Sequence, residues 1–256
     1  MQSVRSLAIA LVSLALMYGT AVVAARIRRA LPQHHLDEAA KDVVSRGTGF
    51  VVTLAALVLS LLIASGKNSY DEVGVKLRLL ATEFVLLDRS LANYGPETEE
   101  IRGALRRAFI VVQRKIWPDG EAPAPATGEG SPRALIEKIQ SMTRELRPAN
   151  DSQRVLQSDA LQQLTDITRT GWTLVELSEV RMPATFLVIL DLWLVIVFFG
   201  FGLFAPPNRT VKAALLFCAF CAAGAVFLIL ELYSPVSGLL AISPRTFEVA
   251  LEQLGH

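Results

Sequence analysis

This sequence has almost no net charge, little histidine or cysteine and no strand pattern. Each shortage removes a class of function. Lysine and arginine total 25 against 24 aspartates and glutamates, a formal net charge of +1 over 256 residues. No excess of either sign is available to grip a polyanion, so nucleic acid is not an expected partner. Three histidines and two cysteines are present, and none is placed to complete a Cys/His metal site. Cys218 and Cys221 have the CxxC spacing of redox and metal sites. Both lie inside an uncharged apolar run, where they are expected to pack as small hydrophobes. His34 and His35 adjoin Asp37 and Glu38, yet adjacent side chains splay apart and nothing completes a ligand set, so a solvated loop is expected. There is no HExxH, no phosphate-cradling glycine loop, no Ser-His-Asp order and no carboxylate pair in a soluble cleft. Neither an enzyme nor a cofactor is expected.

What the chain has instead is long apolar runs. Residues 6–25 and 47–66 are each 20 residues without a charge; 184–205 has one, Asp191; 213–230 has none, and Glu231 follows at once. About 20 apolar residues at 1.5 Å per helical residue match a hydrocarbon core of roughly 30 Å. Away from water a helix is the one local structure that satisfies its own backbone groups. The apolar fraction of 52% and mean hydropathy of +0.42 agree. The last two runs, joined by Pro206-Pro207-Asn208-Arg209, form a transmembrane hairpin. Val23-Ala24-Ala25 loosely resembles a signal-peptide cleavage site, but Arg26, Arg28 and Arg29 directly follow it, so a retained helix is expected. Gly47-Thr48-Gly49 opens the second run and is assigned to close helix packing.

Residues 67–183 are of another kind, with 16 basic and 17 acidic residues. Val73, Leu77, Leu80, Phe84, Leu87 and Leu91 alternate four-three spacing, which places one apolar stripe on one helix face. Asn93-Tyr94-Gly95-Pro96 ends that helix, since Gly95 suits a C-terminal cap and Pro96 cannot continue it. Ile101, Leu105, Ala108 and Val112 repeat the spacing up to Trp117-Pro118. Residues 119–132, rich in Ala, Pro and Gly, read as a mobile loop. Leu135, Ile139, Met142 and Leu146 make a third stripe. Asp151 or Ser152 is placed to cap a fourth helix over 153–182. Pro235 and Gly238 break the chain after the last membrane helix. Ser243-Pro244 then starts a short amphipathic tail with Phe247, Ala250, Leu251 and Leu254 on one face, which either packs on the bundle or lies on the membrane. The expected fold is all-α and multi-pass: a transmembrane pair in 1–66, an extramembrane helical bundle in 67–183, a transmembrane hairpin in 184–233 and a tail in 234–256.

These pieces resemble a bacterial membrane family carrying a bestrophin-like domain of unknown function. The matching residues are Leu87-Asp88-Arg89-Ser90-Leu91-Ala92-Asn93-Tyr94-Gly95-Pro96-Glu97, Arg102, Ile116-Trp117-Pro118 and Leu230-Glu231-Leu232-Tyr233-Ser234-Pro235-Val236-Ser237-Gly238. The resemblance implies a homo-oligomeric ion channel in the bacterial inner membrane, with lipid and inorganic ions as partners. No run of closely spaced acids matches the calcium clasp of animal bestrophins, so calcium gating is not implied here.

Asp191 and Glu231 are the candidate site. A charge at the centre of a membrane helix costs about 2.5–3.5 kcal/mol on insertion scales, so such a residue faces protein or water. Asp191 is seven residues into its helix, roughly 10 Å along the axis. Glu231 ends the antiparallel partner, so both belong to one leaflet. Two functions fit. One is a homo-oligomeric permeation protein with the hairpin near its axis, where acids favour cations. The other is a membrane-anchored helical scaffold or sensor.

Charge bias sets an expected orientation. Residues 26–46 hold five basic residues, and the hairpin turn adds Arg209 and Lys212, against Arg5 and Arg245 on the opposite side. Positive-inside reasoning places both short loops in the cytoplasm and the 67–183 region outside, whereas the bestrophin-like layout implies the reverse. A cysteine introduced within 119–132 should react with an impermeant reagent in intact cells; protection there reverses the orientation.

Overall fold

The computed structural model describes residues 2–30, 32, 38–118, 128, 130–179, 182–206 and 208–254. The histidine pair and most of the 119–132 segment lie outside these residues. The described residues form eight α-helices and no strand: α1 (Gln2–Ala30), α2 (Glu38–Tyr94), α3 (Glu99–Ile116), α4 (Pro132–Glu145), α5 (Asp151–Glu179), α6 (Ala184–Phe204), α7 (Arg209–Leu232) and α8 (Arg245–Gln253). Four of them (α1, α2, α6 and α7) are long and apolar enough to cross a membrane. The chain is an all-helical integral membrane protein.

Two compact units divide the chain: Met1–Tyr70 with Arg181–Leu240, and Asp71–Val180 with Ala241–His256. Helix α2 passes through both. Its 57 residues, about 85 Å at 1.5 Å per residue, far exceed one bilayer crossing. The expected stop near Gly66 does not occur, because Lys67-Asn68-Ser69 are polar but contain no helix breaker. Gly66 has another use. A Cβ there would lie 3.1 Å from the Tyr233 ring and 3.2 Å from Leu232 Cβ, so its absence lets α7 approach α2.

In the first unit, α1 packs on α6 and α7. The buried face of α1 is a row of small side chains, Ser6, Ala10, Ser13, Ala21 and Ala24, interrupted by Met17. Lipid is as apolar as leucine, so membrane helices associate through close contact, and small residues permit it. Helix α6 provides the closest contacts. A Cβ on Gly202 would sit 2.7 Å from Ala21 Cα, and one on Gly200 2.8 Å from Thr48 Oγ1. The close-packing glycines are therefore Gly200 and Gly202. Gly47 and Gly49, assigned that role from sequence, face open space, and buried Thr48 between them makes the contact. Two apolar clusters complete the unit, one of Ala55, Leu62, Leu190, Val226 and Ile229, the other of Met17, Ala21, Phe198 and Ala219. Arg28 donates to Ala205 O and satisfies a carbonyl left free at the end of α6.

The second unit is an amphipathic bundle. All six residues of the α2 stripe are buried, as are Ile101, Leu105 and Ala108 of the expected α3 stripe; Val112 is only half-buried, and Phe109 is buried beside them. On α4 the buried residues are Ile136, Ile139 and Thr143, with Leu135, Met142 and Leu146 only partly covered, so the expected stripe is rotated by about one residue. Helix α5 is capped by Asn150, whose Oδ1 accepts the Gln153 N–H at 2.8 Å, one residue earlier than expected. It runs antiparallel to α2: Gln163 Nε2 donates to Ser90 Oγ at 3.1 Å and Thr170 Oγ1 to Glu83 Oε1 at 2.9 Å, both pairs seven residues apart on each helix. An aromatic chain links α2, α3 and α8. Phe84 meets Phe109 edge-on at 5.0 Å, Phe109 stacks on Phe247 at 5.0 Å, and Trp117 meets Phe247 at 5.1 Å.

Replacing Leu80 and Phe84 together by Asp places unpaired charge in this seam, a cost of several kcal/mol per group. The double variant should lose helicity and its defined size in detergent. Retention of both would show the stripe to be dispensable.

Candidate functional site

Asp191 lies on the second turn of α6 and faces α1. Ser13 Oγ donates to Asp191 Oδ2 at 2.7 Å, across 178 residues of sequence. Ser13 is 1% exposed and belongs to the small-residue row of α1. Asp191 Oδ1 is buried and has no partner among the described residues. Of the partners considered from sequence, Trp193, Thr185 or a neighbouring helix, the neighbouring helix supplies the bond. Ser13 escaped sequence reading because an uncharged run gives no hint which of its serines faces an acid. The recurrence of Ser6, Ala10, Ser13, Met17 and Ala21 at helical spacing was the available signal.

Glu231 is fully buried near the end of α7. Its Oε2 accepts the Leu239 N–H at 2.6 Å, while Oε1 is buried with no partner among the described residues. The intervening turn is built from the sequence it carries. Tyr233 N donates to Ile229 O at 3.2 Å, Ser234 N to Glu231 O at 3.0 Å and Ser237 N to Ser234 O at 3.1 Å. Pro235 has no N–H and ends the helix. Gly238 then takes φ 114°, where a side chain is strained, and a Cβ there would lie 3.1 Å from Glu231 Cδ. Glu231, Pro235 and Gly238 thus form one device, in which the carboxylate fills the space that glycine leaves and accepts the turn's N–H. The freed backbone group that meets Glu231 is an amide.

The two acids do not bond to each other. Leu190, beside Asp191, and Ile229, near Glu231, share an apolar cluster, but the carboxylates turn to different partners. Among the described residues no three His, Cys, Asp or Glu side chains converge as a metal site. Cys218 and Cys221 are free and exposed on α7.

The remaining motif residues are in the second unit, at the α2–α3 junction. Asp88 and Arg102 form a bidentate pair, both contacts at 2.8 Å, with Asp88 3% exposed. The hydrogen bonds that Arg102 donates to Asp88 strengthen the guanidinium's hold on its proton. Between them Gly95 takes φ 140° and Pro96 begins a single 3-10 turn. Thr98 Oγ1 lies 2.6 Å from Leu91 O and 2.8 Å from Gly95 O, serving carbonyls at the end of α2. Tyr94 is buried, and its carbonyl accepts Gln153 Nε2 at 3.0 Å. Trp117 Nε1 donates to Ile242 O at 2.9 Å, and exposed Pro118 follows. These residues serve the fold. The Asp88–Arg102 pair was not singled out from sequence, although both residues stand in the quoted motifs, because a 14-residue separation across a turn has no local signature.

Gly238→Ala combines a strained φ with a contact on Glu231 and should cost several kcal/mol, lowering the unfolding temperature in detergent. Gly224→Ala, with nothing within 4 Å of its Cβ, should leave stability unchanged or raise it slightly through helix propensity.

Comparison with known proteins now places the chain. A bestrophin-like domain matches residues 14–247. A bacterial bestrophin homologue from Klebsiella pneumoniae has the same fold, with a TM-score of 0.72 at 15% identity over 95% of this chain and 96% of that one. A tryptophan-to-alanine variant of it gives a TM-score of 0.74 at 15% identity, over 97% of this chain and 96% of that one. A leucine-to-threonine variant gives 0.71 at 14% identity, over 99% and 98%. No curated protein matches. With the family's domain covering all but the ends of the sequence, this chain belongs to the bestrophin-like family.

Proposed function

We propose that the protein is the subunit of a homo-oligomeric ion-permeation protein of the bacterial inner membrane, in which Asp191 and Glu231 bias passage toward cations. The observation that carries this reading is a pair of carboxylates embedded in apolar helices, each with one oxygen bonded inside the protein and the other buried with no partner among the described residues. A purely structural acid is stabilised when both oxygens are satisfied, because an unmade hydrogen bond at a buried oxygen costs about 1–3 kcal/mol and more for a charged group. Retaining that cost at two positions in membrane helices favours an electrostatic role. The family and the shared fold with bestrophin homologues support the same reading.

The two acids have different duties. Glu231 also closes the 234–239 turn, so its removal affects shape as well as charge. Among the described residues Asp191 is tied by Ser13, and Asp191→Asn retains an oxygen that accepts the Ser13 hydroxyl. This substitution should leave assembly intact and reduce cation preference in reconstituted liposomes, read as a shift of reversal potential toward zero under a salt gradient. Loss of assembly with unchanged preference would make Asp191 structural. Wild-type protein without measurable flux would leave the membrane-anchored scaffold as the function.

A further inference from the structure

Where α1 finishes and α6 turns into α7, the first unit carries charge of one sign. No aspartate or glutamate occurs in residues 1–36 or 192–230, while Arg26, Arg28 and Arg29 close α1 and Arg209 and Lys212 open α7. Packing brings the two groups to one level. Met17 and Ala21 of α1 share a cluster with Phe198 of α6 and Ala219 of α7. Arg28 lies seven residues beyond Ala21 and Lys212 seven before Ala219, each about 10 Å further along its helix. Counted in the same way, the five cations fall in a band about 8 Å deep. Arg28 is engaged by Ala205 O, which ties α1 to the end of α6. Arg26, Arg29, Arg209 and Lys212 are exposed, and among the described residues none of the four is held in an ion pair. The start of α2 does not offset them. There Lys41 and Arg46 balance Glu38 and Asp42, and Asp42 pairs with Arg46 at 3.7 Å.

Two features call for an anion from outside the chain. The N-terminus of α7 is the positive end of its helix dipole, where acids are favourable and cations are not. Its first turn holds Arg209 and Lys212 and no acid, and its cap is neutral Asn208, which accepts the Thr210 N–H at 3.2 Å. Below the band the surface is open and apolar: Val23 of α1 and Phe217 and Phe220 of α7 are exposed, on helices long and apolar enough to cross a membrane. A ligand with phosphate at the level of the cations and hydrocarbon along the helices beneath meets both features. A soluble anion meets only the first.

We propose that Arg26, Arg29, Arg209 and Lys212 form a collar that binds the headgroup phosphate of an anionic phospholipid, whose acyl chains lie along the exposed apolar side chains of α1 and α7. The three guanidinium groups match phosphate oxygens as planar forks, and Lys212 adds a point charge. A zwitterionic lipid brings its own ammonium beside the phosphate, which four clustered cations repel. The collar therefore selects lipid by charge. Cations that only orient the chain during insertion require no such preference afterwards. The inference is independent of any transport activity.

The test uses the full chain in neutral detergent with equal amounts of phosphatidylglycerol and phosphatidylcholine, the lipid retained after washing being measured by mass spectrometry. Wild type and Arg5→Gln, which alters the exposed cation at the other end of α1, should both retain an excess of phosphatidylglycerol. Arg26→Gln/Arg29→Gln/Lys212→Gln, with Arg28 left in place, should keep its helicity and lose about fivefold in preference for each charge removed, roughly a hundredfold in all. Arg209→Gln alone should lose about fivefold, and keeps the test open if the triple variant does not fold. An unchanged preference in these variants overturns the collar. A loss in Arg5→Gln as large as in Arg209→Gln assigns the preference to overall charge and overturns it too. Displacement of the lipid by inorganic phosphate, but not by sodium chloride of equal ionic strength, marks a soluble-anion site and overturns the lipid.

Discussion

The constraint on which this structure depends is that a polar group removed from water must be answered by the protein itself. The chain meets it differently in its two settings. Within the first unit, backbone groups are satisfied by uninterrupted helices, Arg28 answers a helix end at Ala205 O, and Glu231 answers the Leu239 N–H of the turn after α7. A carboxylate at the foot of α7 would be a liability in lipid. Placed under a turn whose glycine has no Cβ, it becomes the acceptor that turn requires. In the second unit the same problem at the α2–α3 junction is solved by Thr98, Gln153 and the Asp88–Arg102 pair. Removing one member of such a pair strands the other charge, at a cost of about 3–5 kcal/mol.

Association between helices follows from that division. Where lipid competes, contact distance decides, and the chain uses absent side chains: Gly200 and Gly202 against Thr48 and Ala21, and Gly66 against Tyr233. Where water competes, apolar area decides, and the chain uses Phe84, Phe109 and Phe247 in mutual contact. Burying a large side chain of this kind is worth about 1.5–3 kcal/mol. Helix α2 contributes to both regimes without a break, so its residues change character along one face while their spacing does not.

Function attaches to what this economy leaves over. Among the described residues a few buried side-chain polar atoms lack a partner: Glu83 Oε2, Tyr94 Oη and Gln163 Oε1 in the second unit, and one oxygen of each acid in the first. Among the described residues Asp191 Oδ1 and Glu231 Oε1 have no partner, in helices where a buried unpaired polar group is costly.

The sequence by itself determined the class, the four membrane helices, the α2 stripe and the breaks at Gly95-Pro96 and Pro235–Gly238. Those features are written in run length, residue period and backbone chemistry, which act over a few neighbouring residues. It did not determine that α2 continues past Gly66, since a glycine there reads equally as a stop or as a place for Tyr233. Nor did it place the glycine contacts, which fell to Gly200 and Gly202 rather than Gly47 and Gly49. The partners of the acids were likewise decided only in three dimensions. Ser13 reaches Asp191 across 178 residues, and Leu239 reaches Glu231 through a turn whose geometry depends on Gly238 lacking a side chain. A hydrogen bond between distant residues depends on which helix faces which. That is fixed by the packing of whole surfaces, which no local pattern in the chain encodes.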